Sequence, residues 1–356
     1  MNRRTPSQAG MTLVELLIAM AISLLIVLAA AYLYLSSTDA QRVQDRTTAR
    51  DETGAFAMQM LGRSIMSAGF YPANVPPIPA DVTQTGMYDT YPPLPSNPRA
   101  ATDWANPAAN WPPTAFQTGI FGCDGASFNT QTSTCGAAVD GAPDTLVINY
   151  FTSDISASGA TGQRLDCNGV DVGGDPSNAT RSTDAAGAAA VNTPPRLPLF
   201  VSNRYTLNNV NVLVGSGAAA TKSLACSGNG SNNQGSSSGP GYQPLLAGIE
   251  DMQLTYGLYS GADSLSPDRF YTATEVSGLS AVTINGQALT GWQRVVSVRV
   301  CLLTKTLGGN SRIADKAGSE KTYQNCNDQS VTQPAGVAFS RSVEVFGVRN
   351  NLKQSY

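Results

Sequence analysis

The chain has 356 residues, a net charge of -3 and only 13% charged residues, where an ordinary soluble domain carries about a quarter. It contains no histidine, which excludes Ser-His-Asp and Cys-His catalysis, histidine-ligated zinc and imidazole pH switching. The slight acidity argues against a nucleic-acid backbone as the main partner, because that affinity needs clustered Lys and Arg.

Residues 1–10, MNRRTPSQAG, are polar and carry Arg3 and Arg4. Residues 11–35 then run almost without interruption through apolar side chains, with one acid, Glu15. At about 1.5 Å per residue this run spans a hydrocarbon core of about 30 Å. The arginines predict a cytoplasmic leader and a chain that faces outward. Ala29, Ala30 and Ala31 also offer an ordinary signal-peptidase site, which would release a chain starting near Tyr32. Two features oppose that reading. The apolar run is longer than a signal h-region, and a carboxylate in such a helix is costly unless it has a use.

No proline interrupts residues 11–68, so one helix of about 58 residues, roughly 87 Å, is predicted. Residues 36–69 form its polar continuation, with Val43, Phe56, Met60 and Ile65 as an imperfect apolar stripe for packing. Gly54 and Gly62 each cost about 1 kcal/mol relative to Ala. Gly69 is placed to cap the end, ahead of Pro72.

Residues 71–113 hold 11 of the 21 prolines and read as an extended loop with anchored aromatics. Strands are expected at 144–151, 197–205, 209–214, 245–259, 292–304 and 341–350, with 197–205 and 209–214 as a hairpin region. Residues 292–304 alternate Val296, Val298, Val300 and Leu302 with Ser297, Arg299 and Cys301. This predicts an antiparallel sheet covered on one face by the amino-terminal helix, the Arg299 face meeting solvent or an edge. The stretches 153–194 and 227–241 read as flexible surface loops.

Six cysteines, Cys123, Cys135, Cys167, Cys226, Cys301 and Cys326, all follow the apolar segment, and none form a CxxC pair. They point to disulfides in an oxidising compartment. Connectivity is open; sequence neighbours, Cys123–Cys135, Cys167–Cys226 and Cys301–Cys326, are the working expectation. Asp166, Asn168, Asp171 and Asp175 in DCNGVDVGGD gather hard-oxygen donors, a weak calcium candidate. The spacing does not fit an EF-hand, and an Asx-turn loop is the simpler reading. No nucleotide-binding or nucleophile-elbow motif sits in a strand-turn-helix setting, so an enzyme and a cofactor are not expected.

Gly10-Met11-Thr12-Leu13-Val14-Glu15, behind a short basic leader, resembles the cleavage signal of type IV prepilins and type II secretion pseudopilins. The resemblance implies cleavage after Gly10 by a prepilin peptidase, N-methylation of Met11, and Glu15 as the fifth mature residue. One departure is Met11, where the family usually has Phe. GIEDMQLTYG (248–257), VSVRVCLLT and VEVFGVRN (343–350), with MSAGF (66–70), resemble the PilW family of minor pilins, akin to J-type minor pseudopilins. That family implies an α+β pilin-like fold: a leader (1–10), a membrane and filament-core helix (11–35), its amphipathic continuation (36–69) and a β-rich head (70–356). It implies an inner-membrane precursor with a periplasmic head, then a place at or near the pilus tip. The implied partners are other minor pilins, the major pilin, the assembly machinery of the inner membrane and a tip adhesin. The implied roles are assembly initiation, adhesion, twitching motility and sometimes DNA uptake. A minor pseudopilin is the alternative, and a secreted enzyme or carbohydrate binder the second alternative.

Overall fold

The computed structural model describes residues 12–70, 118–129, 134–152, 165–172, 200–208, 222–230, 241–259, 266–284, 287–305, 322–334 and 337–351. The Pro-rich stretch 71–113 and the expected strand 209–214 lie outside them, as do Gly10, Met11 and Asp175. The chain divides into two compact units, Met1–Ala49 and Arg50–Tyr356.

Helix α1 runs through Leu13–Ser67. From Leu13 to Leu35 every side chain is exposed, so its apolar surface has no partner among the described residues. From Gly54 onward the helix packs: Ala57, Met58, Leu61, Ile65 and Ala68 are buried. The expected stripe needs correction. Phe56 is 56% exposed and Met60 only half-buried, while Ile65 is fully inside; the side chain of Val43 lies outside the described ones. The true stripe follows the 57–61–65–68 spacing of about four residues, one face of a 3.6-residue helix. Its two glycines lie close against strand side chains. A Cβ on Gly54 would lie 3.3 Å from Thr304 Cγ2, and one on Gly62 would fall among the ring carbons of Phe346.

The second unit is built on two antiparallel sheets rather than one. The first orders β1 (Ile120–Cys123), β4 (Thr145–Phe151), β5 (Phe200–Asn208), β6 (Ser223–Ser227) and β7 (Gln243–Ala247) as β1-β4-β5-β6-β7. The second orders β15 (Phe339–Gly347), β12 (Val295–Lys305), β8 (Ile249–Leu258) and β9 (Phe270–Tyr271) as β15-β12-β8-β9. Short pairs β2 (Phe128–Asn129) with β3 (Thr134–Cys135), β10 (Val282–Ile284) with β11 (Gln287–Leu289), and β13 (Thr322–Gln324) with β14 (Ser330–Thr332) sit beside them. A six-residue helix α2 (Ala273–Gly278) follows β9.

The run expected as one strand at 245–259 is two. Gly248, at φ +90°, turns the chain between β7 and β8, so consecutive strands enter different sheets. That conformation is open to glycine and strained for other residues. Helix α1 and both sheets enclose one core, in which Ile120, Leu146, Ile148, Met252, Leu254, Val298, Val300 and Leu302 meet Met58, Leu61 and Ile65.

The second face of β12 also departs from expectation. A bulge between Val295 and Ser297 sends Val295 into the main core and Val296 into a smaller cluster with Tyr259, Ile284 and Leu289. Ser297 and Cys301 are buried and Arg299 is half-buried, so this face is largely covered.

Candidate functional site: the amino-terminal helix and its acid

Thr12 and Glu15 begin α1 as a reciprocal pair. The Glu15 N–H donates to Thr12 Oγ1 at 3.3 Å. Glu15 Oε2 accepts from the Thr12 N–H at 2.9 Å and from its hydroxyl at 3.0 Å. This is a capping box, and it satisfies backbone donors that a helix start leaves open. Glu15 therefore has an internal partner in the lone chain. The T-x-x-E spacing in Thr12-Leu13-Val14-Glu15 is the sequence signal for this role of Thr12.

Beyond Glu15, α1 is long and apolar enough to cross a membrane, with a mean hydropathy of 2.8 in its most apolar window. A helix apolar on all sides is stable only in lipid or among other apolar helices.

Several contacts fix the other end of α1 to the sheets. Tyr205 on β5 meets Ser64 Oγ at 2.8 Å, and burial pushes its phenol up to about 12. Gly69, at φ +78°, donates to the Asn149 carbonyl, while Asn350 Nδ2 donates to the Ala68 carbonyl at 2.9 Å. The helix end is thus held by β4, and Asn350 satisfies one of its last carbonyls.

Of three disulfides, Cys123–Cys135 joins β1 to β3, and Cys167–Cys226 and Cys301–Cys326 tie β6 and β12 to loops. Residues 165–172, expected within a flexible loop, are packed: Val172 is buried against Val201, and Leu165 bridges Asp171. Asp166 is also buried. Its Oδ1 accepts from the Asn168 and Val170 N–H groups and its Oδ2 from that of Gly230. A carboxylate so occupied by backbone donors is an Asx-type loop anchor. Among the described residues no group of three or more acidic, Cys or His side chains is arranged to hold a metal ion.

A polar cleft of about 670 Å³ opens beside Asp144, Gln253, Arg299 and the Cys301–Cys326 bridge. Asp144 is buried, and burial pushes its carboxyl up to about 7 against the pull of two backbone N–H bonds. Sequence reading missed Asp144 because nothing local distinguishes an acid at a strand start from a surface one.

Residues 5–31 match the family model described as the prokaryotic N-terminal methylation motif. Residues 212–350 match that of type IV pilus-assembly protein W, which spans the second sheet. Among solved structures, the chain is similar to a type IV-like pilin, TTHA1219 from Thermus thermophilus. That match has 10% identity and a TM-score of 0.26 and covers 59% of this chain and 80% of that one. No curated protein matches in sequence. A methylation-type leader, an apolar helix and an antiparallel β head define a type IV pilin-like protein. Within that class, the two family matches support a prepilin-like pilin of the PilW type.

Proposed function

We propose that this chain is a minor pilin that helps to start a type IV pilus and stays at or near its tip. The observation that carries the reading is the helix Leu13–Leu35, exposed on every side, with a single acid in its first turn. Before assembly it anchors the precursor in the inner membrane, head in the periplasm. The prepilin peptidase cuts between Gly10 and Met11, and the new amine is methylated. The helix then joins a bundle with other minor pilins and the major pilin.

In that bundle Glu15 exchanges its Thr12 partner for the amine of a neighbouring subunit, since a buried carboxylate needs a charge partner. The pairing sets axial register. At the tip the head supports adhesion and twitching, and DNA uptake where the machinery provides it.

Glu15→Ala tests this directly. Intact mass should still report a methylated chain starting at Met11, while sheared pili should lack the subunit. Normal recovery of the variant in pili refutes the register role. A chain starting near Tyr32 would instead indicate ordinary secretion. Deletion-strain assays of piliation against type II secretion separate the pilus reading from the pseudopilin one.

A further inference from the structure

Asp144 precedes β4, at the seam of the two sheets. Its own N–H donates to the Met252 carbonyl of β8 at 2.9 Å. Its Oδ1 accepts the Gly125 N–H, from the turn after β1, at 2.7 Å. Its Oδ2 accepts the Leu254 N–H of β8, also at 2.7 Å. One buried side chain thus binds both the turn that leaves the first sheet and a strand of the second. The Gly125 carbonyl in turn accepts from Val139, in the wall of the polar cleft.

The surrounding charges do not neutralise it. Asp124, from the β1–β2 turn, and Asp251, on β8, are like charges. Asp124 is itself held by the Ala273 and Thr274 N–H groups. Tyr256, also on β8, presents a fully buried phenol that burial holds well above its ordinary value. Around the cleft, Asp140 is a further acid, Arg299 lies over the Phe270 ring at 5.7 Å, and Asp328 is paired with Arg341 at 2.6 Å. Among the described residues no cation bonds to Asp144.

We propose that Asp144 is a proton-operated joint between the two sheets: as a carboxylate it holds both the Gly125 turn and β8, and on gaining a proton it releases one of them. A carboxylate accepts with both oxygens, whereas a neutral carboxyl turns one of them into a donor facing an N–H. Releasing Gly125 also frees its link to Val139, so the cleft wall slackens without unfolding the head. Desolvation among like charges brings this exchange close to neutral pH, where the exterior of a cell can vary. The inference is independent of the assembly role proposed above.

The chain has one Gln–Leu step, Gln253-Leu254. Carbonyl-13C glutamine with 15N leucine therefore makes the Leu254 amide visible alone in the full chain in detergent. Its proton shift is expected to titrate with a midpoint between about pH 6 and 8. Asp144→Asn should abolish the titration, and Asp124→Asn should lower its midpoint by removing a like charge. A midpoint outside that window, a flat wild-type response, or an unchanged titration in Asp144→Asn overturns the proposal.

Discussion

Gly62 tests whether the sheet sets the spacing of the helix above it. In an exposed helix interior, Gly→Ala stabilises by about 1 kcal/mol. At Gly62 the added Cβ would stand 2.7 Å from Phe346 Cδ1 and 2.8 Å from Cζ. Carbon atoms favour about 3.5–4.0 Å, so the ring must move by about an ångström. Phe346 is half-buried on the edge strand β15, so its exit is rotation toward solvent. Overpacking of this kind costs about 1–3 kcal/mol, which exceeds the propensity gain over most of the range. The same change at Gly54 meets only Thr304 Cγ2 at 3.3 Å, so a shift of a few tenths of an ångström admits it.

The expected result is a gap of about 2 kcal/mol between the two variants, Gly54→Ala near neutral or stabilising and Gly62→Ala destabilising. Denaturant unfolding of the full chain in detergent, followed by tryptophan fluorescence, measures it. Phe346→Ala in the Gly62→Ala background should recover part of the loss, giving a coupling of about 1 kcal/mol or more in the double-mutant cycle. The reasoning fails if Gly62→Ala stabilises as much as Gly54→Ala, or if the two changes add within about 0.5 kcal/mol.

Two further outcomes follow from the head. The Cys167–Cys226 bridge closes a separation of 59 residues and Cys123–Cys135 one of 12, so replacing both cysteines by Ser should cost about 4 kcal/mol for the first and about 3 for the second; the reverse order in chemical unfolding would count against the loop-entropy account. Asp144 binds its proton at about 7 in the fold and near 3.8 when unfolded, so its contribution to stability is full below about pH 4 and is lost as pH rises to about 7, a change on the order of 4 kcal/mol. The difference in unfolding midpoint between pH 5 and pH 8 should therefore shrink in Asp144→Asn, and an undiminished slope would assign the pH dependence to other groups.

The long helix was legible because apolar length and the lack of proline need no tertiary context, and Leu13–Ser67 follows from them. Strands β4, β8, β12 and β15 were legible because each is long and carries β-branched or alternating residues. Pairs such as β2–β3 and β13–β14 span two or three residues, too few for a period to register. Helix α2 is six residues long, yet its Thr272–Glu275 capping box was written in the sequence as T-x-x-E, the same signal as Thr12–Glu15.

What pattern could not give is which faces meet. Phe56 and Leu61 are both apolar and both on α1, but only Leu61 points at the sheets. Val296 looks like the next member of the Val298–Val300 face until the bulge at Val295 rotates it to the other side. Gly54 and Gly62 explain why such information is hidden. Read along the chain they are two weak helix positions; read across it, each marks where a strand residue crosses the helix. The helix propensity lost there measures how closely β12 and β15 approach, and that distance is fixed by Thr304 and Phe346, more than 200 residues away in sequence.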